Sequence, residues 1–567
     1  MYFIALATDY DGTLASDGSV PISTYASLER LKKTGRKLIL VTGRELPDLK
    51  RVFPEIGIFD KVVAENGALL YTPATESESP IAPEPSPDFV AALEAKGVSP
   101  LSVGRSIVAT WEPHQTTVLD TIKEFGLELD IIFNKGAVMI LPSGVNKATG
   151  LDAALAELGL SAHNVVGVGD AENDHAFLRA CGCSVAVANA LPAVKDTADL
   201  VTTGARGTGV EQLVEELISR DQDIGAAPRN RLSVGKDGQG HPAELRPMDC
   251  VLIAGSSGIG KSTLATALTE RCVEKGFQFC VFDPEGDYGE LENAVSVGDG
   301  TTPPNRKQAL ELLEKPDTNV VLNALAIDHD KRPEFFADFL PEFANLRAKT
   351  ARPHWLIADE AHHLLPNSRD SVSLALSKDL PGTILITVHP GAMAPDALRM
   401  VTAVLALGPK ADEVLTTYCE QAGVTPPEAL RAPEGNQVLF WRPGEPVRVI
   451  EAEKPRQSRK RHSRKYAQGE LDEGASFYFR GPDGQLNLRA QNLMIFLQIA
   501  EGVDDRTWEH HLRAGDYSDW FRRQIKDDAL ADEAAAIETD DALPIGESRK
   551  RIAEAVRRRY TGPASEE

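Results

Sequence analysis

The sequence predicts an α/β protein: a doubly wound core with an α/β cap inserted in it, a second α/β domain, and a mostly helical C-terminal module. Three observations carry that prediction. Short apolar runs with little polar alternation recur at 3–8, 37–42, 61–64, 164–169 and 184–188, separated by helix-like stretches. Strands buried on both faces of a parallel sheet have this pattern. A second series of the same kind starts at Cys250 and continues to about residue 450. The rhythm of the first series is broken by a Pro-, Ser- and Glu-rich stretch at 72–88, followed by another α/β stretch at 89–143, which is the outline of an insertion.

Composition bounds the rest. At about 150 residues per domain, 567 residues correspond to three or four domains. The 42% apolar and 25% charged content is that of ordinary globular protein. Six cysteines exclude a disulfide scaffold and fit a reducing compartment. A net charge of −24 argues against coating nucleic acid with the whole surface, although it leaves room for a local basic groove. The N-terminus is apolar only up to Asp9 and lacks a basic region, so no signal peptide is expected. No apolar run approaches the roughly 18 residues of a membrane span, so a cytoplasmic protein without a membrane partner is expected.

The expected domains are 1–220, with the cap at about 73–143, a polar Gly/Pro-rich linker at 221–247, a second domain at 248–450, a basic linker at 451–470 and a module at 471–567. That module carries Phe477, Tyr478 and Phe479, an expected helix around 488–500, Trp508, Trp520 and a charged helical end. No repeat at solenoid spacing is present.

The first chemistry-bearing group begins with Asp9 and Asp11 at the end of the first run. Residues i and i+2 of a strand share a side, and two carboxylates there need a cation. Gly12 lets the chain turn at once. Thr42-Gly43-Arg44 closes the second run, Lys147 follows Asn146 at a helix start, and Asp170, Asn173 and Asp174 follow the run 164–169. A lone Asp-x-Asp is more often a structural cap than a site; four such pieces in this order reverse the weighting. They resemble the haloacid dehalogenase (HAD) superfamily of phosphatases, subfamily IIB, with its Cof-type and sucrose-phosphatase-like members, over about residues 1–220. The resemblance implies a Rossmann-like core with an inserted cap. It implies that Asp9 is the nucleophile of an aspartyl-phosphate and that Asp11 is the general acid and base. Mg²⁺ would be held by Asp9, the Asp11 main chain and Asp170, with Asn173 and Asp174 in support. Thr42 would bond the phosphoryl oxygens and Lys147 would neutralise charge. The implied substrate is a small phosphomonoester; cap residues select the substrate in this family, and the cap here contains Trp111 and His114.

The second group is a phosphate-binding loop. The buried run 251–254 leads into Gly255-Ser256-Ser257-Gly258-Ile259-Gly260-Lys261-Ser262-Thr263, and a helical stretch follows. Its glycines let main-chain N–H groups wrap phosphates at a helix N-terminus, Lys261 reaches the β- and γ-phosphates, and Ser262 binds Mg²⁺. Asp359 and Glu360 end the run 355–358; Asp359 would support the metal and Glu360 would polarise the attacking water. Thr387 or His389, ending a third run, would sense the γ-phosphate. With the segment 281–288 these pieces look like the HerA/FtsK-like ATPases, over about 248–450. That resemblance implies ATP as ligand and a homo-oligomer; the sequence departs from it in showing no convincing trans-acting arginine, with Arg347, Arg352 and Arg399 as the candidates. Nucleic acid is its alternative partner, and a HerA-like machine with an accessory HAD domain is the alternative to the phosphatase reading.

Other features have bland readings. Cys181 and Cys183 lack a second pair for zinc. His362-His363 is not a zinc motif. The basic run 454–465 reads as a solvated linker, and the C-terminal aromatics read as a small core.

Overall fold

The computed structural model describes residues 1–134, 136–225, 228–289, 291–367, 380–427, 433–435, 437–456, 471, 474–525, 527–540 and 542–560. The chain forms two compact units, Met1–Pro284 with Tyr288–Arg456, and Glu285–Asp287 with Gln457–Glu567.

The first unit holds two large sheets. The N-terminal sheet contains β1 (Ala5–Thr8), β2 (Lys37–Val41), β3 (Lys61–Ala64), β4 (Leu69–Thr72) and β5 (Ser77–Pro80). A cap follows with β6 (Ser102–Val103), β7 (Val108–Trp111), β8 (Leu129–Asn134) and β9 (Ala137–Pro142). The chain then returns to the first sheet with β10 (Val165–Gly169), β11 (Cys183–Ala186) and β12 (Leu200–Val201). The order is β12-β11-β10-β1-β2-β3-β4-β5, parallel from β12 to β3 and antiparallel beyond. β1 and β10 are buried along their whole length, which is why these runs show no polar alternation. The cap is a four-stranded antiparallel sheet, β6-β7-β9-β8, accompanied by helices Pro87–Ala95 and Gln115–Phe125. One expectation changes here: residues 72–88 are not all loop, because β5 pairs with β4 and extends the main sheet.

The second sheet has eleven strands: β13 (Leu232–Asp237), β14 (Pro242–Leu245), β15 (Cys250–Gly255), β16 (Phe279–Asp283), β17 (Ala294–Val297), β18 (Asn319–Asn323), β19 (Trp355–Ala358), β20 (Thr383–Thr387), β21 (Ala403–Leu407), β22 (Gln437–Trp441) and β23 (Arg448–Ala452). Their order is β14-β13-β23-β22-β21-β15-β20-β19-β16-β18-β17. The seven strands from β21 to β17 run parallel, and the other four pair antiparallel.

Segment 221–247 is therefore not a linker. β13 and β14 form a hairpin that pairs with β23, and Leu232, Val234, Ala243 and Leu245 are fully buried. Just before it, Arg229 bonds the carbonyl of Cys181 and the Asp199 carboxylate, and Asn230 bonds the Gly182 carbonyl. Asp221 accepts the N–H groups of Tyr2 and Phe3.

The two sheets meet at the N-terminal ends of their strands. His354, preceding β19, places Nε2 3.1 Å from Asn164 Oδ1, preceding β10. His163 packs on Phe277 with ring centroids 4.3 Å apart, and its Nε2 lies 2.6 Å from the Lys275 carbonyl. Arg352 donates to Gly159 O across the junction and to Gln278 Oε1. Arg347 is spent on the carbonyls of Pro353, Pro381, His354 and Gly382. Arg347 and Arg352 thus hold the interior together, which removes two of the three candidate trans-acting arginines. Arg399 is exposed and pairs with Asp396.

In the second unit, hairpin β24 (Phe477–Phe479) and β25 (Leu488–Ala490) packs with helices that include Leu493–Gly502, Asp505–Ala514 and Ile545–Tyr560. Phe477, Phe479, Trp508 and Trp520 are in its core, as the aromatic pattern predicts, together with Phe496 and Tyr517, whereas Tyr478 is only half-buried. The helix expected from 488 starts only at Leu493, where Asn492 caps the Ile495 N–H. Most of the basic run, 457–465, lies outside the described residues. Among the described residues no helix is long and apolar enough to cross a membrane.

Candidate functional site

Asp9 follows β1 directly, its N–H bonded to Val168 O at 3.0 Å. Asp170 follows β10, and Asp174 closes the short turn after it. Carboxylate oxygens of Asp9, Asp170 and Asp174 lie within 4.8 Å of one another, all buried. Lys147 enters from the first residue of helix Lys147–Leu158, which Asn146 caps by accepting the N–H groups of Ala148 and Thr149. Its Nζ lies 2.6 Å from Asp9 Oδ1 and 2.6 Å from Asp174 Oδ1. Asp174 Oδ2 accepts the N–H groups of Asp170 and Ala171 at 2.8 and 2.9 Å, which fixes the loop that carries Asp170.

The charge balance of this cluster is its main property. Three carboxylates face one ammonium away from water. Burial and the neighbouring Asp174 push the Asp9 carboxyl up to about 7, against the downward pull of Lys147. Burial pulls the Lys147 pKa down, and Asp174 and Asp9 more than reverse it. All-oxygen donors with excess negative charge suit a small hard cation, which would relieve the repulsion.

The side chains of the other expected members do not converge on this cluster. Strand β1 ends at Thr8, so the two-residue alternation does not extend to Asp11. Its carboxylate turns to Arg44, whose Nε and Nη2 lie at 2.6 and 2.7 Å. Asn173 points elsewhere too: its Nδ2 donates to Asn66 Oδ1 at 3.0 Å, and its own Oδ1 is buried without a hydrogen-bond partner. Thr42 is buried just beyond β2 and accepts the Arg44 N–H at 3.2 Å.

Sequence reasoning missed the turn Glu65-Asn66-Gly67. At Gly67, with φ +109°, a Cβ would stand 1.9 Å from Asn146 O. Only glycine lets this turn press against the cap of the Lys147 helix. Its Asn-Gly pair after a buried run is the signal that was available. Glu65 accepts the N–H groups of Arg105 and Ser106, tying the core to the inserted domain. Of the cap residues singled out, Trp111 is 53% exposed, and His114 Nε2 lies 3.0 Å from the Ser99 carbonyl.

The second site lies at the C-terminal ends of β15, β19 and β20. Ser256, Ser257, Gly258 and Ile259 form an exposed loop, and Gly260 (φ +106°) opens helix Lys261–Glu274. That left-handed conformation requires glycine and turns the loop into the helix. Lys261 is buried and folds its Nζ over the loop onto the carbonyls of Gly255 and Ser256, at 2.9 and 3.0 Å. Ser262 is half-buried and Thr263 exposed on the helix's first turn. Asp359 and Glu360 follow β19, and Asp359 Oδ1 accepts the Glu360 N–H at 2.8 Å. Glu360 is buried in the left-handed region (φ +44°, ψ +49°), an uncommon conformation for a residue with a Cβ and one found at functional sites. Thr387 ends β20 beside Ala254 of β15 and accepts the N–H of exposed His389.

Residues 6–125 and 116–214 match the haloacid dehalogenase-like hydrolases, and residues 249–376 match the central domain of helicase HerA. Over 223 residues the chain is 30% identical to a phosphoglycolate phosphatase of Methanothermobacter thermautotrophicus, which spans 38% of this chain and 98% of that protein. Phosphoglycolate phosphatase 2 of Saccharolobus solfataricus is 32% identical over 226 residues, 38% of this chain and 93% of its own. A solved HAD subclass IIB sugar phosphatase is 22% identical, with a TM-score of 0.33, over 38% of this chain and 98% of its own. The chain belongs to the haloacid dehalogenase-like hydrolases. More particularly, it is a fusion in which a HerA-like domain follows the hydrolase domain.

Proposed function

We propose that the first site is a Mg²⁺-dependent phosphatase for a small phosphomonoester, working through an aspartyl-phosphate, and that the second site binds and hydrolyses ATP. The observation that carries the first reading is the buried Asp9–Lys147–Asp174 cluster with Asp170 beside it. A bound Mg²⁺ would neutralise the carboxylates and polarise the phosphoryl oxygens.

Asp9 attacks phosphorus; the bond from phosphorus to the ester oxygen breaks as the aspartyl-phosphate forms. Asp11 gives its proton to the departing alcohol, then takes one from the water that attacks phosphorus and frees Asp9. Arg44 must first release Asp11. Lys147 holds Asp9 in place and balances the charge of the incoming phosphoryl group, while Asp174 fixes Lys147. Thr42 bonds the phosphoryl oxygens. The curated relatives are phosphoglycolate phosphatases, so a small phosphorylated acid is the first substrate to test.

At the second site the Gly255–Thr263 loop would cradle the phosphates, Ser262 and Asp359 would hold a metal that neutralises them, and Glu360 would activate water. The decisive test is Asp9→Asn. It should abolish phosphomonoester hydrolysis without changing the fold; turnover near wild type would overturn the assignment. The match to HerA's central domain favours a second reading, a nucleic-acid machine with an accessory phosphatase. Salt-titrated DNA binding with a steep slope would support that reading.

A further inference from the structure

Among the groups around the loop, His362 is the one that the ATPase reading leaves without a task. It sits two residues beyond Glu360 on the short helix Ala361–Leu364, and its side chain is only 10% exposed. Its Nδ1 faces two oxygens at once: Glu360 Oε2 at 3.4 Å and Thr387 Oγ1 at 3.1 Å. Thr387 Oγ1 also accepts the His389 N–H at 3.0 Å, and β20 lies beside the strand that leads into the loop. The His363 ring lies against that of His362, tilted by 37° with centroids 4.1 Å apart.

The carboxylate decides the tautomer. A lone pair on Nδ1 would repel Glu360, whereas a proton there donates to Thr387 Oγ1 and turns the positive edge of the ring to Glu360 Oε2, 3.4 Å away. With Nδ1–H and the His389 N–H both given to Thr387 Oγ1, the Thr387 hydroxyl proton is left for a third acceptor. We propose that His362 is a positioning residue for ATP hydrolysis, tying the Glu360 carboxylate to Thr387 so that the water-activating group and the sensor strand move together. This rests on the reading of the second site as an ATPase with Glu360 as its base.

The role belongs to one ring nitrogen, and carboxamide variants separate it from mere packing. The Asn amide nitrogen can stand where Nδ1 stands, and the Gln amide nitrogen where Nε2 stands. In the full-length protein, His362→Asn should retain most hydrolysis. His362→Gln, although closer in volume, should lose at least about tenfold in kcat, because a misplaced reacting group is that costly. Nucleotide affinity should be unchanged in both, read with a fluorescent ATP analogue that also verifies folding. In a Glu360→Gln background His362→Gln should add nothing, since both changes remove the same interaction.

Wild-type kcat in His362→Gln, a loss confined to affinity, or a further loss on top of Glu360→Gln would overturn the inference. Glu360→Gln measured alone keeps the two levels apart. If it hydrolyses ATP like wild type, Glu360 is not the base and this inference falls with that assignment, while the ATPase reading stands. If Glu360→Gln is inactive while His362→Gln is fully active, only the inference falls.

Discussion

Acidification should loosen the junction between the two sheets before it unfolds either one. The cause is His354. Its Nδ1 accepts the Gln278 N–H at 2.9 Å and its Nε2 faces Asn164 Oδ1 at 3.1 Å, so the neutral ring with its proton on Nε2 is satisfied on both sides. A second proton would set Nδ1–H against the Gln278 N–H. Burial, with His163, Arg352 and Arg347 adding their charge, holds the His354 pKa well below its ordinary value. Burial lowers that of His163 too. An unfolded chain takes up the proton near pH 6.5 and the folded one does not, so stability is full above that pH and falls below it. For His354 the loss is about 1.2 kcal/mol between pH 6 and pH 5, and His163 steepens it. The assay is hydrogen exchange of the peptides covering β16 and β19, corrected for the intrinsic pH dependence. His354→Gln should be less protected at pH 7, by about 1–3 kcal/mol for the Gln278 N–H left unbonded, but much less sensitive to pH. A variant with the same pH slope as wild type would refute the reasoning.

Two further outcomes are expected. Lys147→Met leaves Asp9 and Asp174 buried without their shared cation; it should abolish phosphatase activity and cost about 3–5 kcal/mol in urea denaturation, with part of the loss recovered on adding Mg²⁺. Lys261→Ala should remove ATP hydrolysis while phosphatase turnover persists, because Lys261 bonds carbonyls of its own loop; loss of both activities in a folded protein would show obligate coupling.

The parallel strands were legible because burial on both faces leaves uninterrupted apolar runs, and the loop 255–263 because its glycines sit between such a run and a helix. The Asp9, Lys147, Asp170 and Asp174 positions followed from residue type at strand ends and helix starts. What failed depended on where a strand stops. β1 ends one residue before Asp9, so Asp11 leaves the face that alternation would give it, and Arg44 takes it. Segment 221–247 failed differently: Leu232 and Val234 alternate with polar neighbours, as do Ala243 and Leu245, but the glycines and prolines around them masked a period of two. Arg347 and Arg352 could only be candidates, because sequence does not say which carbonyls will lack donors in the folded interior. His362 was set aside because a zinc motif was sought where a contact with Thr387, far away in the chain, gives the residue its meaning.

The β13–β14 hairpin also bears on how the fusion can be divided. A chain cut between the halves at 247 would strip two strands from the second sheet and leave β23 as an open edge, its N–H and C=O groups ready to pair with another molecule. Cut at 220, the first half would lose Asp221, Arg229 and Asn230, which hold its own termini and loops. Neither half has a clean seam, and separately produced halves should aggregate or fray where the intact chain stays closed.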